Sequence, residues 1–67
     1  MTYGSASFND AINYYNQALS DLDNGLDDSA RSKLEQAQQI FQECQGTHAA
    51  ANSWLAKTNQ KLSEIES

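Results

Sequence analysis

The chain has 67 residues, with nine acidic and four basic side chains and a net charge of −5. This length allows one small domain, since chains of this size bury only about 60% of the surface that they expose when unfolded. One cysteine excludes an internal disulfide, and a single histidine disfavours a zinc site. The acidity disfavours nucleic acid and membrane as direct partners. Because no signal peptide and no apolar run of about 20 residues is present, we expect a cytoplasmic protein.

The first predicted helix covers about 8–24 and follows an arm of residues 1–6 that is expected to be flexible. Ser7 is the predicted N-cap, and Gly25 is the predicted left-handed residue that ends the helix. The helix has an apolar seam, meaning side chains that recur at spacings of four and three, as is typical of helices packed side by side. The seam consists of Phe8, Ile12, Tyr15, Leu19 and Leu22.

The second and third predicted helices have apolar residues at the same spacings of four and three. The second covers about 28–45, begins at a cap formed by Asp27 or Asp28, and ends at Gly46. The third covers about 48–66, with Thr47 as its N-cap. The second seam consists of Ala30, Leu34, Ala37, Phe41 and Cys44, and the third consists of Ala51, Leu55, Thr58, Leu62 and Ile65.

The repeated seam predicts the fold over residues 7–67. Short connections force neighbouring helices to run antiparallel, so the sequence predicts an all-α, antiparallel up-down-up three-helix bundle. Ile40 and Trp54 each precede a seam residue by one position. We therefore expect these two side chains to widen the apolar stripe toward the edge of a groove.

Residues that carry chemistry are sparse. Cys44 lies on the seam and is separated from His48 by Gly46, so a buried thiol is expected rather than a nucleophile or a metal ligand. No catalytic triad, phosphate loop or glycine-rich fingerprint occurs, and we expect neither an enzyme nor a cofactor. Asp28-Ser29 resembles the attachment site of acyl carrier proteins, which implies a group carrier modified on Ser29. The alternative is that Ser29 caps a helix.

Acidic residues cluster where the bundle topology brings three helix ends together. The end of the first helix, the start of the second and the end of the third meet in an up-down-up bundle. The acidic pole so predicted consists of Asp21, Asp23, Asp27, Asp28, Glu64 and Glu66. Only Arg31, Lys33 and Lys61 are placed to offset it. We expect the pole to steer a basic partner, for example as an inhibitor that masks a cationic surface; helix capping and solubility are the alternative explanation.

Small and large residues around the first turn also resemble two families of helical interaction modules. The tetratricopeptide repeat has a similar arrangement to the set Ala18, Gly25, Ala30, Leu34, Ala37 and Phe41. The microtubule-interacting and transport domain is similar in length and in the set Ala11, Ala18, Ala30 and Ala37 around Asn24-Gly25. Both families bind peptides or helices of other proteins, which implies the same property here.

The leading functional hypothesis is a small, acidic, non-enzymatic protein-binding module. Its partner is expected to be another protein with a basic or amphipathic helical surface, bound through the groove near Ile40 and Trp54, through the acidic pole, or through both. The group carrier modified on Ser29 is the alternative. Self-association is a separate hypothesis, because an alanine-rich seam buries little area and the apolar stripe can pair with its copy.

Overall fold

The computed structural model describes residues 7–66, which form three α-helices: α1 (Phe8–Asp23), α2 (Asp27–Cys44) and α3 (Ala50–Glu66). The described residues contain no strand, and the predicted all-α three-helix fold is confirmed. The arm predicted for residues 1–6 lies outside the described part of the chain.

Side-chain pairs show that consecutive helices run antiparallel. Along α2 and α3, Gln38 donates a hydrogen bond to Asn59, and Gln45, further along α2, donates one to Asn52, earlier in α3, at 2.9 Å. The partners therefore progress in opposite directions. Between α1 and α2 the same holds, since Phe8 at the start of α1 packs on Phe41 near the end of α2.

Local hydrogen bonds explain both ends of α1. Ser7 and Asp10 form a capping box: the Ser7 amide donates to Asp10 Oδ2 at 2.9 Å, and the Asp10 amide donates to Ser7 Oγ at 3.3 Å. At the other end Gly25 has a φ of 77°, and the Leu26 amide donates to the Asp21 carbonyl at 2.8 Å. This is the Schellman arrangement, in which glycine allows the left-handed turn. Both predicted α1 boundary residues are confirmed.

Two predicted caps are wrong. The N-cap of α2 is Leu26, which makes no side-chain capping bond, while Asp27 and Asp28 lie inside the first turn, near the positive end of the helix dipole. Thr47 does not cap α3, because its hydroxyl donates to the Cys44 carbonyl at 3.3 Å. The backbone amides of Thr47 and His48 donate to the same carbonyl at 3.0 and 2.8 Å, so a turn follows α2 and α3 begins at Ala50.

The core is organised around α2, which packs along both other helices, whereas α1 and α3 contact each other sparsely. The result is a flattened molecule with principal extents of 33 × 24 × 15 Å. Most of the buried residues form two groups. The pole-side cluster contains Tyr15, Ala18, Ala30, Leu34 and Leu62, and the far cluster contains Ala11, Ala37, Ile40 and Phe41.

The buried face of α1 is rotated from the predicted seam. Ala11 and Ala18 are completely buried, while the seam residues Phe8, Ile12 and Leu19 are only half-buried. Alanines on α1 and the buried Ala30 and Ala37 of α2 allow the two backbones to approach closely, so the alanine face of α1 meets α2. Of the seam residues of α1, Tyr15 stays buried and meets Trp54 of α3, while Phe8 packs on Phe41 of α2 and on His48.

Candidate protein-binding surfaces

We name the surface between α1 and α3, on the side away from α2, the groove; the two backbones approach each other at few points along it, whereas both pack closely along α2. At about 100° per residue, the positions directly after the buried Ala11 and Ala18 on α1 and those three residues after the buried Ala51 and Leu62 on α3 are turned toward this surface. The groove is lined by the half-buried side chains Ile12, Leu19, Trp54 and Ile65.

Trp54 is the central side chain of the groove and also joins the two core clusters. Its ring meets Tyr15 edge-to-face at a centroid distance of 5.4 Å and stacks on Phe41 at 5.8 Å. Lys57 Nζ also lies over the Trp54 ring, 4.9 Å from its centroid. Trp54 is therefore held by Tyr15 and Phe41 and is half-buried.

Ile40 is buried, and the expectation that it lies at an exposed groove edge is wrong. Only 7% of its surface is exposed, and it packs in the far cluster with Ala11, Ala37 and Phe41. The close approach of α1 at Ala11 covers this side chain. Ile40 thus contributes to the contact between α1 and α2 and is not available to a docked partner.

Asp21 connects α1 to α2. Its Oδ2 accepts a hydrogen bond from Ser29 Oγ at 2.8 Å and one from Lys33 Nζ at 2.7 Å. The hydrogen bond from Lys33, and then that from Ser29, hold the pKa of Asp21 below its ordinary value. Ser29 therefore bonds to a side chain on the neighbouring helix instead of capping α2.

The three helix ends do meet at one end of the molecule, as the topology predicts. Ala18, Ala30 and Leu62, from near these ends, pack in the same pole-side cluster, with Leu22 and Ile65 against it. The remaining acidic pole residues are all exposed: Asp23, Asp27, Asp28, Glu64 and Glu66.

The pole is partly neutralised, and an apolar side chain lies within it. Lys61 Nζ contacts Glu64 Oε1 at 3.4 Å, in addition to the pairing of Lys33 with Asp21. Leu26, in the turn between the acidic ends of α1 and α2, is 52% exposed and is the one large apolar side chain of residues 7–66 classed as exposed. Leu26 is not predicted as a surface residue by the sequence pattern, because it lies outside the periodic seams.

Cys44 and His48 occupy separate environments. Cys44 packs against the far cluster but is half-buried, so this residue is less buried than the seam predicts. The His48 ring is stacked on Phe8, with centroids 4.7 Å apart and an interplanar angle of 8°. Residues 7–66 contain no group of three or more His, Cys, Asp or Glu side chains arranged to hold a metal ion.

Comparison of the chain with protein-family models, with curated proteins and with solved structures returns no match. Within the described residues, every helix is too short or too polar to cross a membrane.

Proposed function

We propose that this chain is a small, acidic, non-enzymatic protein-binding module that receives a helix of another protein in the groove between α1 and α3. The observation that carries the proposal is the position of Trp54, which is held by Tyr15 and Phe41 and is only half-buried. Rigid, partly exposed aromatic side chains are frequent anchors of protein interfaces.

The shape of the groove favours a helix as the bound element. Two helices that lie side by side present a linear apolar stripe, and an amphipathic helix packs its own stripe into such a gap. A fourth helix placed there would contact both α1 and α3 and convert the open arrangement into a four-helix one. The half-buried Ile12, Leu19 and Ile65 would then become fully buried.

A second candidate surface is the acidic pole, favoured by the exposed Leu26. Leu26 is an apolar side chain that a partner can bury, and Asp23, Asp27 and Asp28 lie near it in the sequence. Their negative charges would attract a basic partner. If the acidic pole is the interface, the chain acts as an inhibitor that masks a cationic protein surface. Nothing in the structure favours the group-carrier alternative, because the Ser29 hydroxyl is bonded to Asp21.

Affinity capture from the native source, with matched variants, tests the proposal. Leu19→Glu introduces a charge into the groove, and Gln36→Glu introduces the same charge at an exposed position of α2. We expect Leu19→Glu to remain folded by circular dichroism and to lose the partner that the parent and Gln36→Glu retain. A partner that binds the Leu19→Glu variant normally would contradict the groove.

The pole is tested separately by the combined change of Asp23, Asp27 and Asp28 to asparagine. Loss of the partner from this variant, together with normal binding by Leu19→Glu, would make the pole the interface. Sedimentation at increasing protein concentration tests self-association, because a dimer formed through the groove would dissociate on dilution and in the Leu19→Glu variant.

A further inference from the structure

Specific contacts at both ends fasten α1 to α2. At the acidic pole, Asp21 of α1 accepts hydrogen bonds from Ser29 and Lys33 of α2. At the other end, the Phe8 ring of α1 meets Phe41 of α2 edge-to-face, with centroids 5.6 Å apart. The two helices therefore form a pair that is tied along its whole length.

The chain that leaves α2 stays attached to this pair as far as His48. The His48 ring stacks on Phe8 of α1, and the His48 amide donates to the Cys44 carbonyl of α2 at 2.8 Å. Ala49 comes next, is exposed, and directly precedes α3, which begins at Ala50. A change in the backbone dihedral angles of Ala49 can therefore move α3 while the contacts of His48 stay in place.

The attachment of α3 is weaker in its buried side chains. Those of α3 are Ala51, Thr58 and Leu62, of which one is small and one is polar. The Thr58 hydroxyl donates to the Trp54 carbonyl of the same helix at 2.8 Å, so this bond does not tie α3 to α2. The apolar attachment of α3 therefore depends largely on Leu62 and on the half-buried Trp54.

Polar contacts and helix ends also favour the α1–α2 pair over α3. α2 bonds to α3 through two exposed amide pairs, Gln38 with Asn59 and Gln45 with Asn52, which exchange for bonds to water at little cost. α1 has a capping box and α2 begins with acidic residues, whereas α3 has no acidic residue in its first turn and no basic one in its last. α3 is thus less stabilised by charges at its ends.

α3 nevertheless covers large apolar side chains of α2. Trp54 stacks on Phe41, and Leu62 packs in the pole-side cluster with Leu34. Phe41 and Leu34 are both completely buried. Movement of α3 away from α2 would expose the face of α2 that carries these two side chains.

We propose that α3 is a hinged cover, which opens as one unit about Ala49 while α1 and α2 remain paired, and that the open form exposes Leu34 and Phe41. Proteins open locally in cooperative units, and the elements that are least firmly attached open at the lowest free energy. This inference concerns a motion of the fold and does not rest on the proposed function.

Hydrogen exchange of the full chain, followed by NMR at low urea concentrations, tests the opening. The central amides of α3, from Leu55 to Lys61, should share one opening free energy with a small dependence on urea. We expect them to exchange about tenfold faster than the most protected amides of α1 and α2. Those amides should exchange only on global unfolding, with a larger urea dependence.

Two variants distinguish an opening of α3 from global unfolding. Leu26→Ser supplies a cap to α2, which is present in both the closed and the open form, so it should slow exchange in α1 and α2 about fivefold and leave α3 unchanged. Trp54→Phe weakens the attachment of α3 in the closed form alone. It should accelerate exchange in all three helices by the same factor.

The proposal is overturned if the central amides of all three helices share one opening free energy in the parent, or if Leu26→Ser slows all three equally. Exchange that slows gradually from Glu66 toward the centre of α3 would mean fraying and would also overturn it. If Leu26→Ser leaves the melting temperature unchanged, Asp21→Asn takes its place. That variant should accelerate exchange in α1 and α2 alone, and equal acceleration in α3 would contradict the hinged cover.

Discussion

Lys33 Nζ lies 2.7 Å from Asp21 Oδ2, and this contact joins the last turn of α1 to the second turn of α2. Ser29 donates to the same oxygen from one turn earlier in α2. One carboxylate thus holds two side chains of the neighbouring helix. Because only the ionised carboxylate accepts both bonds well, this contact makes the stability of the fold depend on pH.

Asp21→Asn should lower the melting temperature at neutral pH and remove part of the acid sensitivity. The pKa of Asp21 is lowered in the folded state, so the stabilisation is fully present above the ordinary carboxyl value. This stabilisation is lost as the pH falls from the ordinary carboxyl pKa to the lower pKa that Asp21 has in the folded state. The melting temperatures of the parent and of Asp21→Asn should therefore converge as the pH falls through this acidic range. Asp23→Asn is the control, and a parallel displacement of the Asp21→Asn curve at every pH would contradict the role of ionisation.

Gly25→Ala and Gly46→Ala should have opposite effects, although both glycines follow a helix. Gly25 has a φ of 77°, where a Cβ is strained, so we expect a loss of about 1 kcal/mol in the free energy of unfolding. Gly46 has no positive φ, and a Cβ there meets nothing within 4 Å. Alanine should thus stabilise by roughly 0.4–1 kcal/mol, since it restricts the unfolded chain. Urea denaturation measures both, and equal losses would show that the two turns are alike.

Leu34→Asp should unfold the chain. Leu34 is completely buried between α1 and α3, so an unpaired carboxylate there costs several kcal/mol, comparable with the total stability of roughly 5 kcal/mol expected for a small domain. Gln36→Asp, two residues away and exposed, should leave the far-ultraviolet circular dichroism spectrum and the melt close to those of the parent. A cooperative melt of Leu34→Asp near the parental temperature would place Leu34 outside the core.

Trp54→Ala should destabilise the fold by about 2–3 kcal/mol, less than for a fully buried tryptophan, because the side chain is half-exposed. Trp54→Phe should retain most of the stability through contacts with Tyr15 and Phe41. In the parent, acrylamide should quench Trp54 emission partially. Emission fully protected from the quencher would remove Trp54 from the binding surface.

Leu26→Ser should stabilise the fold by about 1 kcal/mol, which raises the melting temperature by roughly 4–8 °C. Leu26 occupies the N-cap of α2 without a capping bond, and a serine hydroxyl there can accept one from the first turn. Leu26→Ala removes the same exposed side chain without supplying a cap. If Leu26→Ala stabilises equally, the gain comes from losing exposed apolar surface and not from capping.

Much of the fold could be predicted because its determinants are local. The capping box of Ser7 and Asp10 and the left-handed Gly25 act over a few residues, and the seams of α2 and α3 follow from helical periodicity. The candidate binding surfaces were harder to predict from the sequence. Ile40 and Trp54 have the same position relative to their seams, yet Ile40 is buried in contact with α1 whereas Trp54 is half-buried.

The sequence by itself determined three amphipathic helices, their order, and the meeting of acidic ends at one pole, since these depend on spacing and on short connections. Only the tertiary structure decided which face of α1 is buried and that α1 and α3 contact each other sparsely. The reason is that a broad apolar stripe allows several rotations of a helix. The choice among them depends on how closely the buried alanines Ala11 and Ala18 allow α1 to approach α2, which is a property of two helices together.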